Sequence, residues 1–339
     1  MKQIESHNET IKDIKNKWYK QDIINLKQKN KELVNLILWL HKKQELLLWI
    51  SKKPYKQQEI TPNIYPKDSE AVAVMTGSDW HSDEIVNPKT VNNLNEYNPD
   101  IAKHRAQNFF KNWLKLTEIM SKDIKISDIV MFMLWDFMSW YIHTELIENN
   151  SMSPTQAVIF VKQLICDWIS MILDKSNYKI TMVMKPWNHW RTTDKTRIST
   201  GYKNSYEWMM YHIIANEFKN NPRIKFIIEE WYHTYIKIFN QVLRTHHWDA
   251  INYWWWVGGI TIPINKAIAQ WNKAKHADID YSAHFHQLIN MKNFVSNWSL
   301  IWYNAYANRI KADYEDPQQS FSLIDKDHWK TVNAPIFVK

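Results

Sequence analysis

The chain has 339 residues, of which 45% are hydrophobic and 23% charged, so it holds enough apolar side chains to bury a sizeable core. It carries 20 Trp but only 4 Gly, whereas a usual glycine share of about 7% predicts about 24 glycines. Tight turns and ligand-binding loops need a residue that tolerates positive φ, and glycine does so at little cost. The tryptophan positions therefore need an explanation.

Charge and apolar patterning limit the cellular setting of the chain. The formal net charge is +8, and +6 of it lies within the first 60 residues. The longest apolar runs, such as 33–40, are shorter than the roughly 18 residues that span a bilayer, and the N-terminus lacks the apolar core of a signal peptide. A single cysteine, Cys166, excludes an intrachain disulfide. We expect a cytoplasmic protein without a membrane partner.

A heptad repeat begins near residue 23. Its a positions are Ile23, Asn30, Ile37 and Gln44, and its d positions are Leu26, Leu33, Leu40 and Leu47. Four successive d leucines with one polar a residue favour a two-stranded coiled coil. We predict a basic, helical coiled-coil arm over 1–52 that mediates homodimerisation, and a polar, proline-containing linker over 53–69. The alternative is one amphipathic helix that packs on its own domain.

Beyond the linker, apolar runs that end in polar loops alternate with helical periodicity. The runs AVAVMTG, IVMFMLWDF and YKITMVMK predict strands, 101–120 and 153–173 predict helices, and 225–247 and 294–312 are rich in β-formers. Strands that alternate with helices in this way predict an α/β core, in which functional groups gather at the carboxyl ends of strands.

Five polar clusters follow the predicted strand ends, and they read SDWH, LWDF, PWNHW, HHWD and SAHFH. They supply carboxylate, imidazole and amide groups, a set that suits Mn, Fe or Zn and differs from the ligands of a thiolate site. In an extended segment, side chains two residues apart point to the same side, so Asp79 with His81, and His284 with His286, form chelating pairs. The sequence therefore predicts a metal site.

The order of these clusters resembles the calcineurin-like metallophosphoesterase superfamily, especially its phage-encoded members and its DNA repair exonuclease branch. That family shows Asp-x-His, Gly-Asp, Gly-Asn-His, His-Gly and Gly-His-x-His in this order. The resemblance covers 72 to about 312 and includes the segment NLNEYNPDIAKHR after the first cluster. It implies a sandwich of two mixed β-sheets flanked by helices over 70–315, with 316–339 as a β-rich tail packing on it.

The resemblance also implies a dinuclear centre and a reaction. One ion would be held by Asp79, His81 and His286, the other by Asn188, His247 and His284, and Asp136 would bridge them. Manganese is the expected metal, with iron or zinc as alternatives. A hydroxide between the ions would attack a phosphodiester, DNA among the candidates. His189 would protonate the leaving oxygen, and Arg191 would bind a phosphate oxygen.

Two other functions remain open from the sequence. One is hydrolysis of phosphomonoesters, as in a small-molecule or protein phosphatase. The other is a catalytically impaired coiled-coil interaction protein on a phosphoesterase scaffold, which the basic arm and the altered motif glycines favour. The first alternative keeps the metal site, and the second does not need it.

Tryptophan stands at three motif positions where the family has glycine, namely Trp135, Trp187 and Trp248, and Ala283 stands at a fourth. Trp190, Trp298, Trp302 and 254–256 also lie in contexts typical of glycine turns. We hypothesise that UGA encodes glycine in this gene and has been translated as tryptophan; the alternative is a genuine Trp-rich protein. UGG codons at 135, 187 and 248 would contradict the hypothesis. We expect Trp at these three positions to weaken metal binding relative to glycine.

Overall fold

The computed structural model describes residues 2–51, 58–60, 69–139, 148–186, 191–193, 195, 197, 199–248, 259–309 and 314–339. The side chains of the first helix are described for 15–44, and that of Tyr306 is not described. The chain divides into two compact units, Met1–Lys56 and Gln57–Lys339.

The first unit is one long helix, α1, over Lys2–Ser51. Its heptad leucines lie on the surface, since Leu26, Leu33 and Leu40 are about half exposed or more. The segment with the heptad repeat is therefore helical, with an apolar stripe open to contact. Coiled-coil pairing of the arm stays a prediction.

The second unit contains twelve described strands in two six-stranded sheets. The first sheet has the order β12-β11-β2-β3-β4-β5, and the second has the order β1-β6-β7-β8-β10-β9. The strands are β1 Gln58–Ile60, β2 Glu70–Gly77, β3 Lys125–Leu134, β4 Lys179–Lys185, β5 Ile224–Ile228, β6 Thr234–Ile238, β7 Gln241–Thr245, β8 Ile279–Ser282, β9 Ile289–Asn290, β10 Phe294–Ser296, β11 Gln318–Asp325 and β12 Trp329–Phe337.

Both sheets are mixed, as predicted. In the first sheet β2, β3, β4 and β5 are parallel, and β11 and β12 add antiparallel strands beside β2. In the second sheet β7 and β10 lie parallel to β8, whereas β6–β7 and β9–β10 are antiparallel pairs. Parallel neighbours end at the same sheet edge, so loops after β2, β3 and β4 emerge together, as do those after β7 and β8.

Five described helices accompany the sheets. They are α2 Pro99–Met120, α3 Pro154–Lys175, α4 Tyr206–Glu217, α5 Thr261–Ala274 and α6 Ala305–Arg309. Three begin at side-chain caps: Asn98 accepts from the backbone of α2, Ser153 forms a reciprocal capping box with Gln156 at the start of α3, and Ser205 accepts from the backbone of α4. The cap at Ser153 coincides with the predicted helix start, whereas α2 begins at Pro99, two residues before the predicted 101.

The core has two layers because the central strands are buried on both faces. In β3, Ile129, Met131 and Met133 pack in the layer shared with α2, α3 and α4, whereas Val130 and Phe132 pack between the two sheets. Alternation with period two sends neighbouring residues to opposite layers. A near-continuous apolar run is therefore what such a buried strand requires.

Helix α3 is long and apolar enough to cross a membrane by length and composition. Half of its most apolar window is nevertheless buried inside the protein. Val161, Ile165 and Ile169 belong to the core cluster that includes Met131 of β3. Its apolar character is therefore accounted for by core packing.

Parts of the chain differ from the sequence-based expectations. In the stretch 294–312, predicted to be β-rich, the described residues 294–309 form a strand at Phe294–Ser296 and the helix α6, so this prediction is largely wrong. Its backbone carbonyls at Leu300 and Ile301 accept hydrogen bonds from the Arg105 guanidinium at 2.9 and 3.0 Å. A side chain from α2 thus donates the hydrogen bonds that these carbonyls would otherwise accept from a neighbouring strand.

The predicted linker and the predicted tail both contain strands of the two sheets. The stretch 53–69, predicted as a linker, contains β1, which pairs in parallel with β6. The tail 316–339 contains β11 and β12, and β11 pairs along its length with β2. The tail therefore contributes two strands to the first sheet.

Trp329 tests whether a tryptophan occupies a position suited to glycine. It lies at the β11–β12 turn with a φ of 68°, a conformation that costs an L-residue about 1–2 kcal/mol and glycine almost nothing. We expect Trp329→Gly to be more stable than Trp329→Ala by about 1 kcal/mol, because both lose the same indole. Urea denaturation measures the difference.

Trp231 is the matched control, since it is 65% exposed and does not have positive φ. There the alanine variant should be the more stable one, by about 0.4–1 kcal/mol, because glycine leaves the unfolded chain more freedom. A Trp329→Gly protein no more stable than Trp329→Ala would show that the turn has no preference for glycine.

Candidate metal centre

The candidate ligands lie in loops at the carboxyl ends of strands from both sheets. Asp79 and His81 follow β2, and Asp136 follows β3, all in the first sheet. In the second sheet His247 follows β7, and His284 and His286 follow β8. Packing of the two sheets brings these loop ends together into two groups of possible metal ligands.

The first group, called the first triad, consists of Asp79, His81 and His286. One ligand atom from each lies within 4.8 Å of the others, and all three residues are buried. His286 Nε2 is 3.5 Å from Asp79 Oδ1. The first triad joins a loop of the first sheet to a loop of the second, so it depends on the sandwich and not on one strand end.

The second triad consists of Asp136, His247 and His284, with the same 4.8 Å limit on its ligand atoms. His247 Nε2 lies 3.2 Å from Asp136 Oδ2. Its ring contacts that of His284 edge-on, with centroids 4.5 Å apart. His284 is partly exposed, whereas Asp136 and His247 are buried.

Five of the six triad residues have left-handed backbone conformations. Their φ angles are 51° at Asp79, 48° at His81, 54° at Asp136, 90° at His284 and 49° at His286. Positive φ is uncommon outside glycine, although Asp and His tolerate it better than most residues. Such conformations cluster at functional sites, where the surrounding structure holds them. The backbone thus independently marks these loops as a site.

Backbone hydrogen bonds tie the ligand loops to one another. The amide of Asp79 donates to the carbonyl of Trp135, and that of His81 donates to the carbonyl of Asp136, both at 3.1 Å. The amide of Leu300 donates to the carbonyl of Asp79 at 2.9 Å. The relative position of the two triads therefore has backbone support as well as side-chain packing.

A buried polar network orients the Asp79 carboxylate. Ser78 Oγ donates to Asp79 Oδ2 at 2.8 Å and accepts from Asn297 Nδ2 at 2.8 Å. Gln319 Oε1 accepts from the Ser78 amide at 2.8 Å. Asn297 and Gln319 belong to none of the sequence clusters; Gln319 lies at the polar start of β11, whose residues are all buried. Groups behind a ligand in this way set its orientation.

A second network lies behind His247. Arg244 donates to both carboxylate oxygens of Asp280, from Nε at 2.6 Å and from Nη2 at 3.0 Å, and both residues are fully buried. His246 Nε2 is 2.9 Å from Asp280 Oδ1. Burial lowers the pKa of His246, and the hydrogen bond to Asp280 opposes that change. His246 therefore supports the loop, while its neighbour His247 belongs to the second triad.

The donor set fits divalent cations. Each triad offers one carboxylate and two imidazoles, a combination suited to Mn, Fe or Zn. Asp79 and Asp136 are at most 1% exposed, and a buried carboxylate is costly unless positive charge or hydrogen bonds compensate it. Asp79 Oδ1 accepts no hydrogen bond from the part of the chain that the structure describes. A cation at the first triad would supply the missing partner.

Three predicted site residues remain, namely Asn188, His189 and Arg191. Asn188 and His189 lie outside the described residues, as does Trp187. Arg191 is half-buried, and its Nε donates to the carbonyl of Thr193 at 2.9 Å, so its own loop anchors the side chain. Their assigned roles stay predictions.

Two of the suspect tryptophans near the centre also have left-handed backbones. Trp135, directly before Asp136, is fully buried with a φ of 57°, and Trp302 is 3% exposed with a φ of 69°. For a bulky residue this is an outlier.

Trp248 lacks positive φ, but its indole makes a conflicting contact. Its Nε1 lies 3.0 Å from the His246 Nε2 that also contacts Asp280. That nitrogen cannot both accept from the indole and donate to Asp280.

No protein-family model matches the chain, and no curated protein matches it. Among solved structures, a hypothetical protein, PH1004 from Pyrococcus horikoshii, is similar at 12% identity and a TM-score of 0.37, over 80% of this chain and 89% of that one. Zinc-bound Vps29 from Entamoeba histolytica is similar at 10% identity and a TM-score of 0.28, over 78% and 99%.

A 5′-nucleotidase from Candida albicans is also similar, at 10% identity and a TM-score of 0.29. The alignment covers 77% of this chain and 48% of the nucleotidase. Similarities at this level do not assign an activity to the chain. Its function has to be inferred from its own side chains.

The triads predict a stoichiometry of two cations. Substitution of one ligand in each, His286→Ala in the first triad or His247→Ala in the second, should reduce binding from two ions to one, because each removes one of three ligands. Titration of Mn²⁺ into metal-free protein, followed by calorimetry, measures this. Unchanged stoichiometry in either variant would exclude that triad as a site.

The same titration is to be made with glycine at 135, 187 and 248. We expect the glycine version to bind Mn²⁺ more tightly than the chain with tryptophan, because Trp135 packs edge-on against His247 with centroids 5.3 Å apart. His104 is an exposed residue of α2 and belongs to none of the five clusters. His104→Ala, which removes an imidazole but no candidate ligand, is therefore the control substitution.

Proposed function

We propose that the protein is a phosphoesterase that uses two divalent cations. The observation that carries the proposal is the pair of triads, each with one carboxylate and two imidazoles, at the joined strand ends of the two sheets. The order of the sequence clusters, which resembles that of metallophosphoesterases, supports it. Two cations held side by side are a common arrangement in enzymes that hydrolyse phosphate esters.

The chain's own residues would hold the ions as follows. Asp79, His81 and His286 would bind one, and His247 and His284 would bind the other together with Asn188. Asp136 would contribute to both, and we propose manganese as the metal. When bound, such ions lower the pKa of a coordinated water and neutralise charge that develops on phosphoryl oxygens.

Two further residues would act on the substrate directly. We assign His189 as the group that donates a proton to the leaving oxygen, a task suited to an imidazole that titrates near neutral pH. We assign Arg191 to a phosphoryl oxygen, which its planar guanidinium contacts through two N–H groups. In the sequence, His189 belongs to the third cluster after β4, and Arg191 directly follows that cluster.

Phosphodiesters are the proposed substrate class, with DNA as the favoured example. The positive charge of the first 60 residues supports this choice, because lysines near a nucleic-acid backbone displace condensed counterions. The rest of the chain carries a net charge of only +2. Affinity for DNA would therefore depend on α1 and should fall steeply with salt.

Hydrolysis in Mn²⁺ of a generic phosphodiester, a phosphomonoester and linear DNA tests the proposal. We expect diester turnover that falls about 100-fold or more in His189→Ala, because a general acid contributes roughly 10²–10⁴. Asp136→Asn should also lower it strongly, since it removes a shared carboxylate charge. His104→Ala is the control and should keep full activity.

The three substrates separate the alternatives. Preference for the monoester would replace the diesterase assignment by a phosphatase. No turnover of any substrate, in protein with glycine at 135, 187 and 248, would contradict the enzyme proposal and favour an interaction protein on this scaffold.

We further propose that α1 forms a homodimer through its heptad stripe. Leu33, at a d position, and Leu38, outside the a and d positions, are almost equally exposed at 53% and 56%. Leu33→Asp should dissociate the dimer because it places a charge in the seam, whereas Leu38→Asp should leave it intact. Light scattering on the full chain measures the mass; equal effects of both variants, or a monomeric parent, would refute the heptad pairing.

We also propose that glycine is the natural residue at several tryptophan positions, as UGA read as glycine would produce. The left-handed backbones at Trp135, Trp302 and Trp329 support this. Trp80 and Trp208, which are not among the suspect positions, do not have positive φ. UGG codons at 135, 187 and 248 would contradict the proposal. A Trp329→Gly protein that is more stable than Trp329→Ala would support it.

A further inference from the structure

A chain of buried polar groups lies behind His81 of the first triad. His81 Nδ1 is 2.8 Å from the Ser139 hydroxyl oxygen. Ser139 Oγ in turn donates to Glu84 Oε2 at 2.9 Å. Ser139 is fully buried and Glu84 is 7% exposed. The carboxylate therefore reaches a candidate metal ligand through a single hydroxyl group.

The orientation of the Glu84 carboxylate is set from its other side. Asn304 Oδ1 accepts from the amide of Ala307 at 2.9 Å, which turns Asn304 Nδ2 toward Glu84 Oε1 at 3.1 Å. Two donors thus converge on Glu84, as they do on an ionised carboxylate. Burial raises the pKa of Glu84, and the hydrogen bonds from Ser139 and Asn304 oppose that rise.

The loops after β2 and β3 hold Ser139 in place against His81. The amide of His81 donates to the carbonyl of Asp136, and that of Ser82 donates to the carbonyl of Phe137 at 2.9 Å. The amide of Ser139 donates to Asp83 Oδ1 at 2.6 Å. These bonds set the register of the two loops, so the contact between hydroxyl and imidazole is built into the backbone.

The direction of the hydrogen bonds determines which His81 nitrogen carries a proton. A hydroxyl has one proton, and Ser139 donates it to Glu84. Toward His81 the hydroxyl is therefore an acceptor, and His81 must donate from Nδ1. A neutral imidazole with a proton on Nδ1 has its lone pair on Nε2, the nitrogen that is then able to bind a cation.

We propose that Glu84 is a positioning residue, which acts through Ser139 to hold His81 in the Nδ1-protonated tautomer and so prepares Nε2 for a divalent cation. The proposal rests on the metal centre proposed above. Glu84 belongs to none of the sequence clusters that predict the site. Its role would be to set the affinity of the first triad.

Glu84→Gln in the full chain tests the proposal. The glutamine amide can donate to Ser139 as well as accept from it, so the hydroxyl becomes free to donate to His81 Nδ1. We expect affinity for Mn²⁺ at the first triad to fall about 10–100-fold, as for other groups behind a ligand. Calorimetric titration gives this value.

A second readout uses metal-free protein and is independent of cation binding. Long-range ¹H–¹⁵N spectra of ¹⁵N-histidine-labelled protein, assigned with His81→Asn, report the tautomer of His81. We expect the Nδ1-protonated form in the parent and a mixture in Glu84→Gln. Ser139→Ala, which removes the link with little change in volume, should give the same mixture.

Glu70→Gln is the matched control, because Glu70 is also a buried carboxylate near β2 but pairs with Lys125. It should change neither readout. A His81 that stays Nδ1-protonated in both Glu84→Gln and Ser139→Ala, in folded protein, would overturn the proposal. A parent that binds no cation but shows the tautomer change would refute the metal centre and leave the positioning of His81 established.

Discussion

The constraint on which this structure depends is the burial of two aspartates and three histidines, beside the partly exposed His284, where two sheets meet. Charged carboxylates are costly in such a place unless positive charge and hydrogen bonds compensate them. The fold provides hydrogen bonds from the backbone of neighbouring loops and from side chains behind each ligand. Divalent cations are the compensating charge for which this donor set is suited.

The apolar architecture makes that burial possible. The central strands place alternate residues into the helical layer and into the layer between the sheets, so strand ends from both sheets are held at fixed separation. The loops at those ends then adopt left-handed conformations that an isolated chain would avoid. The rigid layers of strands therefore hold the loops in strained conformations that the loops alone would not keep.

Tryptophan has two different relations to this arrangement. Trp113, within α2, is fully buried in the apolar core, where a large aromatic side chain adds contact area. Trp135 is equally buried, but its backbone is left-handed and its neighbour is a candidate ligand. The backbone conformation thus supports the proposal of glycine at Trp135, whereas Trp113 has no positive φ that would favour glycine.

Much of this protein is determined by local sequence. Runs such as AVAVMTG predict buried strands because both faces must be apolar, and the periodicity of 101–120 and 153–173 predicts helices. Polar clusters after the strands predict the candidate ligands. The sequence could not show that 300–301 is held by Arg105 rather than by a strand, or that Glu84 stands behind His81. Those contacts join residues far apart or outside any motif, and only the packing of the sheets and loops decides them.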